Sequence, residues 1–437
     1  MCLDAREALS SIFQVDIGLK DARAVKTKVI GSEIERGVVP LQKPAAFSPA
    51  IKAISVWTMA TPPRETPPRE LAPRELAPRD LLPRDLLPRD LLHRPLGVLR
   101  LSLTARCNLA CTYCCPDSAD PPGLLNLGER RQLVECAVGL GVHTLRLTGG
   151  EPLLHPQLDA LLEALGPLRQ RTPGDPRGAL GCLALTTNGV LLSAARARAL
   201  RAAGLDRITL SLDAVAPASV ARMAGLQGGA DAGEALLAKV LAALEHARAA
   251  GFDPERGQLK LNAVIQAGPG GNADQLLPLA ALARERGVEL RLIEFMDVGN
   301  RNGWNAAAVW PAAAMVSCVD GQWPLEPVGR DPHGTAIRWR YRDGRGHLAV
   351  VASISAPFCG DCNRLRITAD GVAYRCLFAA TGSDLKPWLR PSLDATGLAA
   401  AMAQLWQTRQ DRYSEERSTL PATRPAAPHA EMAYLGG

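Results

Sequence analysis

No apolar run in this sequence approaches the roughly 18 residues that a membrane-spanning helix needs, and the N-terminus carries no apolar signal-peptide core. A secreted or membrane-embedded protein is therefore not expected; a cytoplasmic one is. Charge of one sign is missing too. The formal net charge is +6 over 437 residues, and residues 1–96 hold 15 Lys and Arg against 12 Asp and Glu, which leaves +3 for the rest. No tail or face is basic enough to demand nucleic acid or an anionic membrane, so any bound anion has to be held by local charge. Aromatic residues are scarce, at 4%. Cysteine is the exception: there are 11, mostly clustered in a long chain, which does not read as a disulfide framework.

A chain of this length can bury a sizeable core and is expected to form more than one domain. Residues 1–61 show weak patterning and no motif. From Pro62 a five-residue repeat runs from Pro-Pro-Arg-Glu-Thr to Leu-Pro-Arg-Asp-Leu and decays at Leu92-His93-Arg94-Pro95-Leu96. A proline in every unit removes a backbone donor and restricts its predecessor, so neither a helix nor a central strand persists. Residues 1–96 are expected to be an N-terminal extension, with the repeat (62–96) an extended, disordered linker of balanced charge. A partner-docking arm is the functional alternative, and an unselected tandem repeat in the gene is the simpler origin. Met59, just upstream, offers a second translation start.

Two groups of cysteines carry the chemistry. Cys107, Cys111 and Cys114 stand at spacings of four and three, with Tyr113 before the last; Cys359 and Cys362 are followed by Cys376. A zinc site closes with four protein ligands, whereas a cubane iron–sulfur cluster has four irons, each needing one. Three thiolates leave one iron open to something that is not protein. A zinc site completed by a His is the alternative at this stage, and Cys2, Cys136, Cys182 and Cys318 read as small apolar residues instead. His143, His155 and His333 have no partner spacing.

Between the two groups, short period-two segments alternate with helical stretches: Val98–Thr104, Thr144–Thr148, Leu183–Thr187, Arg207–Asp213, Leu259–Val264 and Leu290–Glu294. This argues for an α/β fold with a parallel sheet, either open or curled into a partial barrel. One face of strand after strand is polar, with Arg100, Arg146, Lys260 and Arg291 on it and too few carboxylates to pair them. Parallel strands covered on both faces would be apolar throughout, so this face is expected to line a lumen that holds a multiply charged anion. After Trp310 the pattern turns antiparallel: Thr335–Tyr341 pairs with His347–Ile354, and a hairpin turning at Asp370-Gly371 returns Cys376 towards Cys362.

The three-cysteine spacing resembles the signature of radical S-adenosylmethionine (SAM) enzymes. Residues 97–437 resemble the GTP 3′,8-cyclase family of molybdenum-cofactor biosynthesis almost throughout, on Leu-Arg-Leu-Ser-Leu-Thr-Ala-Arg-Cys (99–107), Thr-Gly-Gly-Glu-Pro (148–152), Thr-Thr-Asn-Gly (186–189), Ser-Leu-Asp-Ala (211–214), Ile-Glu-Phe-Met-Asp-Val-Gly (293–299), Phe-Cys-Gly-Asp-Cys-Asn-Arg-Leu-Arg (358–366) and the terminal Gly-Gly. The resemblance implies a partial (β/α)6 TIM-type barrel over 97–309, and a C-terminal α+β extension over 310–437 that carries a second cluster.

It implies two [4Fe–4S] clusters, one on Cys107, Cys111 and Cys114 and one on Cys359, Cys362 and Cys376. SAM would be contacted by Tyr113, Gly150, Glu151, Ser211 and Met296. GTP would be bound by Arg100, Arg146, Thr186, Lys260, Arg291, Arg364 and Arg366, with Arg364, Arg366, Gly436 and Gly437 in catalytic positions. The implied reaction forms a 5′-deoxyadenosyl radical, abstracts the 3′ hydrogen of GTP and closes C3′ onto guanine C8. The implied partners are a low-potential electron donor of flavodoxin or ferredoxin type and a downstream cyclic pyranopterin monophosphate synthase; a homodimer stays open. Three departures stand out: Cys115 after the motif, Thr144 where relatives often carry lysine, and Ala105 in place of a frequent aspartate. The alternatives are a peptide-modifying radical SAM maturase and a non-enzymatic iron–sulfur or zinc scaffold.

Overall fold

The computed structural model describes residues 87–172, 175, 177–417 and 429–436. Cys2, Met59, the repeat up to residue 86 and Gly437 lie outside the described residues.

Six parallel strands follow one another in sequence order: β1 (Val98–Ser102), β2 (Thr144–Thr148), β3 (Cys182–Thr187), β4 (Arg207–Ser211), β5 (Leu259–Ile265) and β6 (Glu289–Glu294). Helices connect them, as the alternating pattern predicts. The alternation has a direct cause in burial. Leu99 and Leu101, Leu145 and Leu147, Leu183 and Leu185, Ile208 and Leu210, Leu259 and Leu261, Leu290 and Leu292 are at most 1% exposed and face the helical layer. Each contributes about 1.5–3 kcal/mol by leaving water. The long helix Gly229–Ala249 packs against β4 and β5 and buries Leu236, Val240, Ala243, Leu244 and Ala247, while Leu237 and Leu241 lie half-buried beside this stripe.

The remaining strands are β7 (Leu325–Gly329), β8 (Ile337–Tyr341), β9 (His347–Val351), β10 (Arg364–Ile367), β11 (Val372–Tyr374) and β12 (Ser383–Asp384). β8 and β9 pair antiparallel, and so do β10 and β11, as expected. The sheet order, β12-β11-β10-β1-β2-β3-β4-β5-β6-β9-β8-β7, adds a feature that the sequence reading lacked. An open six-stranded barrel leaves unpaired backbone along β1 and β6. Both edges are satisfied by the C-terminal region: β10 runs parallel to β1 and β9 parallel to β6. The division expected at residue 310 is therefore no break in the sheet.

The boundary expected at Gly97 moves upstream. Asp90, Arg94 and Leu96, assigned to a disordered linker, are 3%, 2% and 2% exposed. The Asp90 carboxylate accepts from the N–H groups of Leu92 (3.0 Å) and Arg94 (2.8 Å), folding the last repeat unit into a turn. His93 stands where earlier units carry proline; its φ is +60° and its N–H donates to Asp90 O. A proline ring, fixed near −65°, cannot adopt that conformation and has no N–H to give. His93→Pro, which regularises the repeat, is expected to destabilise the fold by more than about 1 kcal/mol; an unchanged thermal midpoint would contradict this origin for the turn.

Candidate functional site

The first cysteine loop leaves the carboxyl end of β1 and is clamped from two sides. Ala110 N and Thr112 N donate to Ala224 O and Met223 O at 3.1 Å. Gly150 N and Glu151 N donate to Thr104 O and Arg106 O at 2.8 Å. The approach is so close that a Cβ on Gly150 would stand 2.1 Å from Arg106 O, so only glycine fits. Within the loop, Cys114 N and Cys115 N both donate to Cys111 O at 3.0 Å, a turn that draws Cys111 and Cys114 together. Burial pushes the thiols of Cys107, Cys111 and Cys114 up, Cys114 to about 12, and the charges of Asp213 and the other two cysteines add to this at Cys111. Three sulfurs crowded in this way are stable as thiolates only around a cation. Cys115 faces another way: its Sγ lies 3.4 Å from Thr112 O and 3.6 Å from Arg301 O.

Glu151 is 1% exposed and accepts from Leu153 N (2.9 Å), Thr187 Oγ1 (2.7 Å) and Asn188 N (2.8 Å). Of about four lone-pair directions on a carboxylate, three are thus taken by protein donors, and the residue ties the ends of β2 and β3 together. Tyr113 Oη donates to Asp213 Oδ2 at 2.9 Å, and Asp213 Oδ1 accepts from Val264 N. Ser211 lines the same cleft as Tyr113, Cys111 and Asp213. Met296 follows buried Phe295, which packs with Tyr113 and Met223, and its carbonyl accepts from Asn302. Ala105 is buried, and its N–H is held by Asp120 at 2.7 Å; Asp120 also binds Thr104 Oγ1 and Arg106 Nε.

The second trio lies at the amino end of β10 and beyond β11. Cys362 N donates to Cys359 O at 3.1 Å, closing a tight turn, and the hairpin brings Cys376 within electrostatic reach of Cys362, as its design in the sequence predicts. Burial alone raises the Cys362 thiol, but Arg364 and Arg409 outweigh it and bring it down to about 6. His333, read as unpartnered, belongs here: its N–H donates to Asp361 Oδ2 and its Nδ1 lies 2.6 Å from Asp361 Oδ1. Arg330 and Arg364 approach the Phe358 ring at 5.6 and 5.2 Å.

Between the two trios runs the polar face of the sheet. The register sets Arg366, Arg100 and Arg146 side by side on β10, β1 and β2. Arg146 Nη1 donates to Thr186 Oγ1 at 3.2 Å. Burial, then the guanidiniums of Arg366, Arg146 and Arg364, push Arg100 far below its ordinary range; Arg146 falls to about 9 through burial and its neighbours Arg291 and Arg207. A guanidinium stays charged at neutral pH, so these depressions mark buried like charges held close together in the lumen.

Among the described residues one carboxylate enters the lumen, where too few to pair all four cations were expected. Glu289, at the start of β6, is bound by Lys260 Nζ (2.7 Å), Arg291 Nη2 (3.2 Å) and Arg338 Nε (2.9 Å). It satisfies three cations only in part and leaves Arg100, Arg146, Arg364 and Arg366 to other partners. Arg207 and Arg338, on β4 and β8, join the group unforeseen.

The C-terminal segment crosses this lumen. Tyr434 Oη donates to both oxygens of Asp370 at 3.0 Å, and Glu431 accepts from Asn300 N. Arg100 then donates through Nε (3.0 Å) and Nη2 (2.7 Å) to Gly436 O. Gly436 has φ +68°, and a Cβ there would meet Thr148 Cγ2 at 2.6 Å. Thr144, where a lysine was weighed, is buried at the start of β2. Cys136 and Cys318 pack against the core, while Cys182 lies beside Arg207. Among the described residues, no three His, Cys, Asp or Glu side chains are drawn up around a single metal ion.

A family described as Radical SAM superfamily matches residues 101–289, and one described as Molybdenum Cofactor Synthesis C matches residues 288–415. The GTP 3′,8-cyclase of Synechococcus sp. (strain CC9605) is 64% identical over 344 residues, 79% of this chain and 96% of that relative. The GTP 3′,8-cyclase of Xanthomonas campestris pv. campestris (strain B100) is 43% identical over 352 residues, again 79% and 96%. Among solved structures, Streptococcus suis SuiB bound to S-adenosylmethionine aligns with a TM-score of 0.48 at 15% identity, over 76% of this chain and 69% of that one. The two family matches meet near Glu289, inside a single continuous sheet. On this identity, sustained across nearly the whole of its curated relatives, the chain belongs to the GTP 3′,8-cyclase family of radical SAM enzymes.

Proposed function

We propose that this chain acts on GTP in the cationic lumen between its two cysteine trios, each of which holds a [4Fe–4S] cluster with one open iron. The enzyme class, a radical SAM cyclase of molybdenum-cofactor biosynthesis, follows from the family. The donor sets fit the clusters: each site supplies three free thiols, soft ligands that suit iron–sulfur chemistry. At the first site Cys115 turns away, and at the second Arg364 and Arg409 favour a thiolate. When bound, the first cluster supplies the electron for reductive cleavage of SAM, which provides the hydrogen-abstracting radical.

The protein's own residues bind, orient and exclude water. Cys107, Cys111 and Cys114 hold the first cluster, and the cleft of Tyr113, Gly150, Ser211 and Met296 receives SAM. Glu151 braces that cleft through Thr187 and Asn188 and offers its one remaining lone-pair direction to the SAM ammonium. Cys359, Cys362 and Cys376 would hold the second cluster. Arg100, Arg146, Thr186, Lys260 and Arg291 take the triphosphate, and Arg364 and Arg366, on the strand beside Arg100, hold the nucleotide near the reacting atoms. Gly436 and Gly437 close the lumen, the former as an acceptor for Arg100.

The observation that carries this reading is the cation excess of the lumen: Lys260, Arg291 and Arg338 share Glu289 beside Arg146 and the buried Arg366, and a triphosphate is an anion able to match them. A low-potential donor of flavodoxin or ferredoxin type and a downstream cyclic pyranopterin monophosphate synthase complete the proposed setting, in the cytoplasm; no helix among the described residues is long and apolar enough to cross a membrane. The test is anaerobic incubation of the reduced, reconstituted protein with SAM and each nucleotide. GTP alone is expected to support 5′-deoxyadenosine together with a cyclised nucleotide, from protein holding about eight iron atoms. Turnover with a peptide and never with GTP would defeat the reading.

A further inference from the structure

Behind the second trio stands a buried cationic group, Arg409 with Arg94, that touches the cysteine turn directly. Arg409 is 1% exposed; its Nη1 donates to Cys362 O at 2.7 Å and its Nη2 to Cys362 Sγ at 3.2 Å. Arg94, from the last repeat unit, donates through Nη1 to Cys359 O (2.6 Å) and Asp411 O (3.0 Å). Asp90 ion-pairs with Arg94 Nε and lies 3.9 Å from Arg409 Nη1. Hydrogen bonds lock the two segments together: Leu91 N donates to Arg409 O, and the Trp406 indole Nε1 to Arg94 O. Two arginines thus grip the carbonyls of two of the three cysteines, and one of them also reaches a sulfur.

The nearest carboxylates do not exhaust Arg409. Its ion-pair contacts with Asp90 and Asp411 are 3.9 and 3.5 Å, longer than either contact with Cys362. A cation that donates to a ligand sulfur withdraws charge from it and favours the more negative, reduced state of a cluster held there; hydrogen bonds to sulfur and burial are the protein's levers on cluster potential.

We propose that Arg409 is the positioning residue that raises the reduction potential of the second cysteine site, and that Asp90 and Arg94 hold it there, making the ordered end of the repeat part of the redox machinery. This rests on the reading of Cys359, Cys362 and Cys376 as cluster ligands. It also gives the break at His93 a purpose: the turn that proline forbids is the one that brings Arg94 beneath Cys359.

The test uses the full chain with Cys107, Cys111 and Cys114 replaced by alanine, so that only the second site loads. Each variant is reconstituted anaerobically, assayed for iron and titrated with the cluster's paramagnetic signal as readout. The parent is expected to hold about four iron atoms. Arg409→Gln is expected to keep them while the ratio of reduced to oxidised cluster falls at least tenfold at a fixed poise, about 59 mV for a one-electron couple. Arg409→Lys, which keeps the charge, is expected to shift less, and Arg94→Gln to shift in the same direction. An unchanged midpoint in Arg409→Gln, or loss of iron from both Arg409 variants, would overturn the proposal. If Arg409→Gln alone loses iron, an unchanged midpoint in Arg409→Lys overturns it and a lowered one supports it. A parent that takes up no iron removes the second-cluster reading itself, and the proposal with it.

Discussion

Cys376→Ala is expected to abolish the cyclised nucleotide while leaving SAM binding and the first cluster intact. The separation follows from where the two sites are built. Cys376 reaches Cys362 only through the β10–β11 hairpin, and its thiol, which burial pushes up to about 11, lies among Cys362, Asp411 and Arg409. The backbone bonds that hold the first loop among the described residues lie elsewhere, with Ala224 O and Met223 O on one side and Gly150 and Glu151 on the other. Iron is therefore expected to fall from about eight to about four per chain, with SAM affinity unchanged and product at the background of iron-free protein. Product at the wild-type level would mean that the second trio is structural, and parallel loss of SAM binding would mean that the two sites are not independent.

The order in which these features became legible follows from how local each one is. The cysteine trios and the strand alternation are short-range patterns. Leu99, Leu101 and Leu103 announce both a strand and its buried face, and the intervening Arg100 marks the lumen. Glu289 was missed for a near-local reason. It precedes the first residue assigned to its strand, and its pairing with Lys260 and Arg338 spans 29 and 49 residues. Arg94 and Arg409 meet the second cysteine turn at separations of 265 and 47 residues, which no periodicity encodes. Arg94 was obscured further by the repeat, because a proline in every unit argues against both helix and strand until His93 takes its place. The parallel pairing of β10 with β1 was also out of reach: a four-residue strand carries no address, and only the unpaired edge of an open barrel asks for a partner.

Glu289→Gln is expected to weaken the protein without nucleotide and to be rescued by it. Glu289 is 5% exposed and is shared by Lys260, Arg291 and Arg338. Although burial raises a carboxyl, those cations outweigh it and hold Glu289 down at about 2, against 4.5 ordinarily. A carboxylate whose folded value is depressed adds stability that is present above its unfolded value and is lost as pH falls through the folded one. This window runs from about pH 4.5 down to about 2, and the contribution at neutral pH is on the order of 3 kcal/mol, matching the roughly 3–5 kcal/mol for breaking a buried ion pair. Lys260 shows the other side of the arrangement: burial and Arg291 lower it to about 8 despite Glu289, so its charge costs stability below that pH and the cost is relieved as pH rises towards 10.5. In Glu289→Gln the acid limb of the stability profile is expected to shrink and the thermal midpoint at pH 7 to fall. Because three cations then lack the carboxylate that they share, GTP should raise the variant's midpoint by more than the wild type's. A bound triphosphate also returns Lys260 towards its ordinary value, so wild-type binding above about pH 8 should take up a proton. An unchanged midpoint in the variant, or equal stabilisation of both proteins by GTP, would mean that the lumen is not held in electrostatic suspense for an anion.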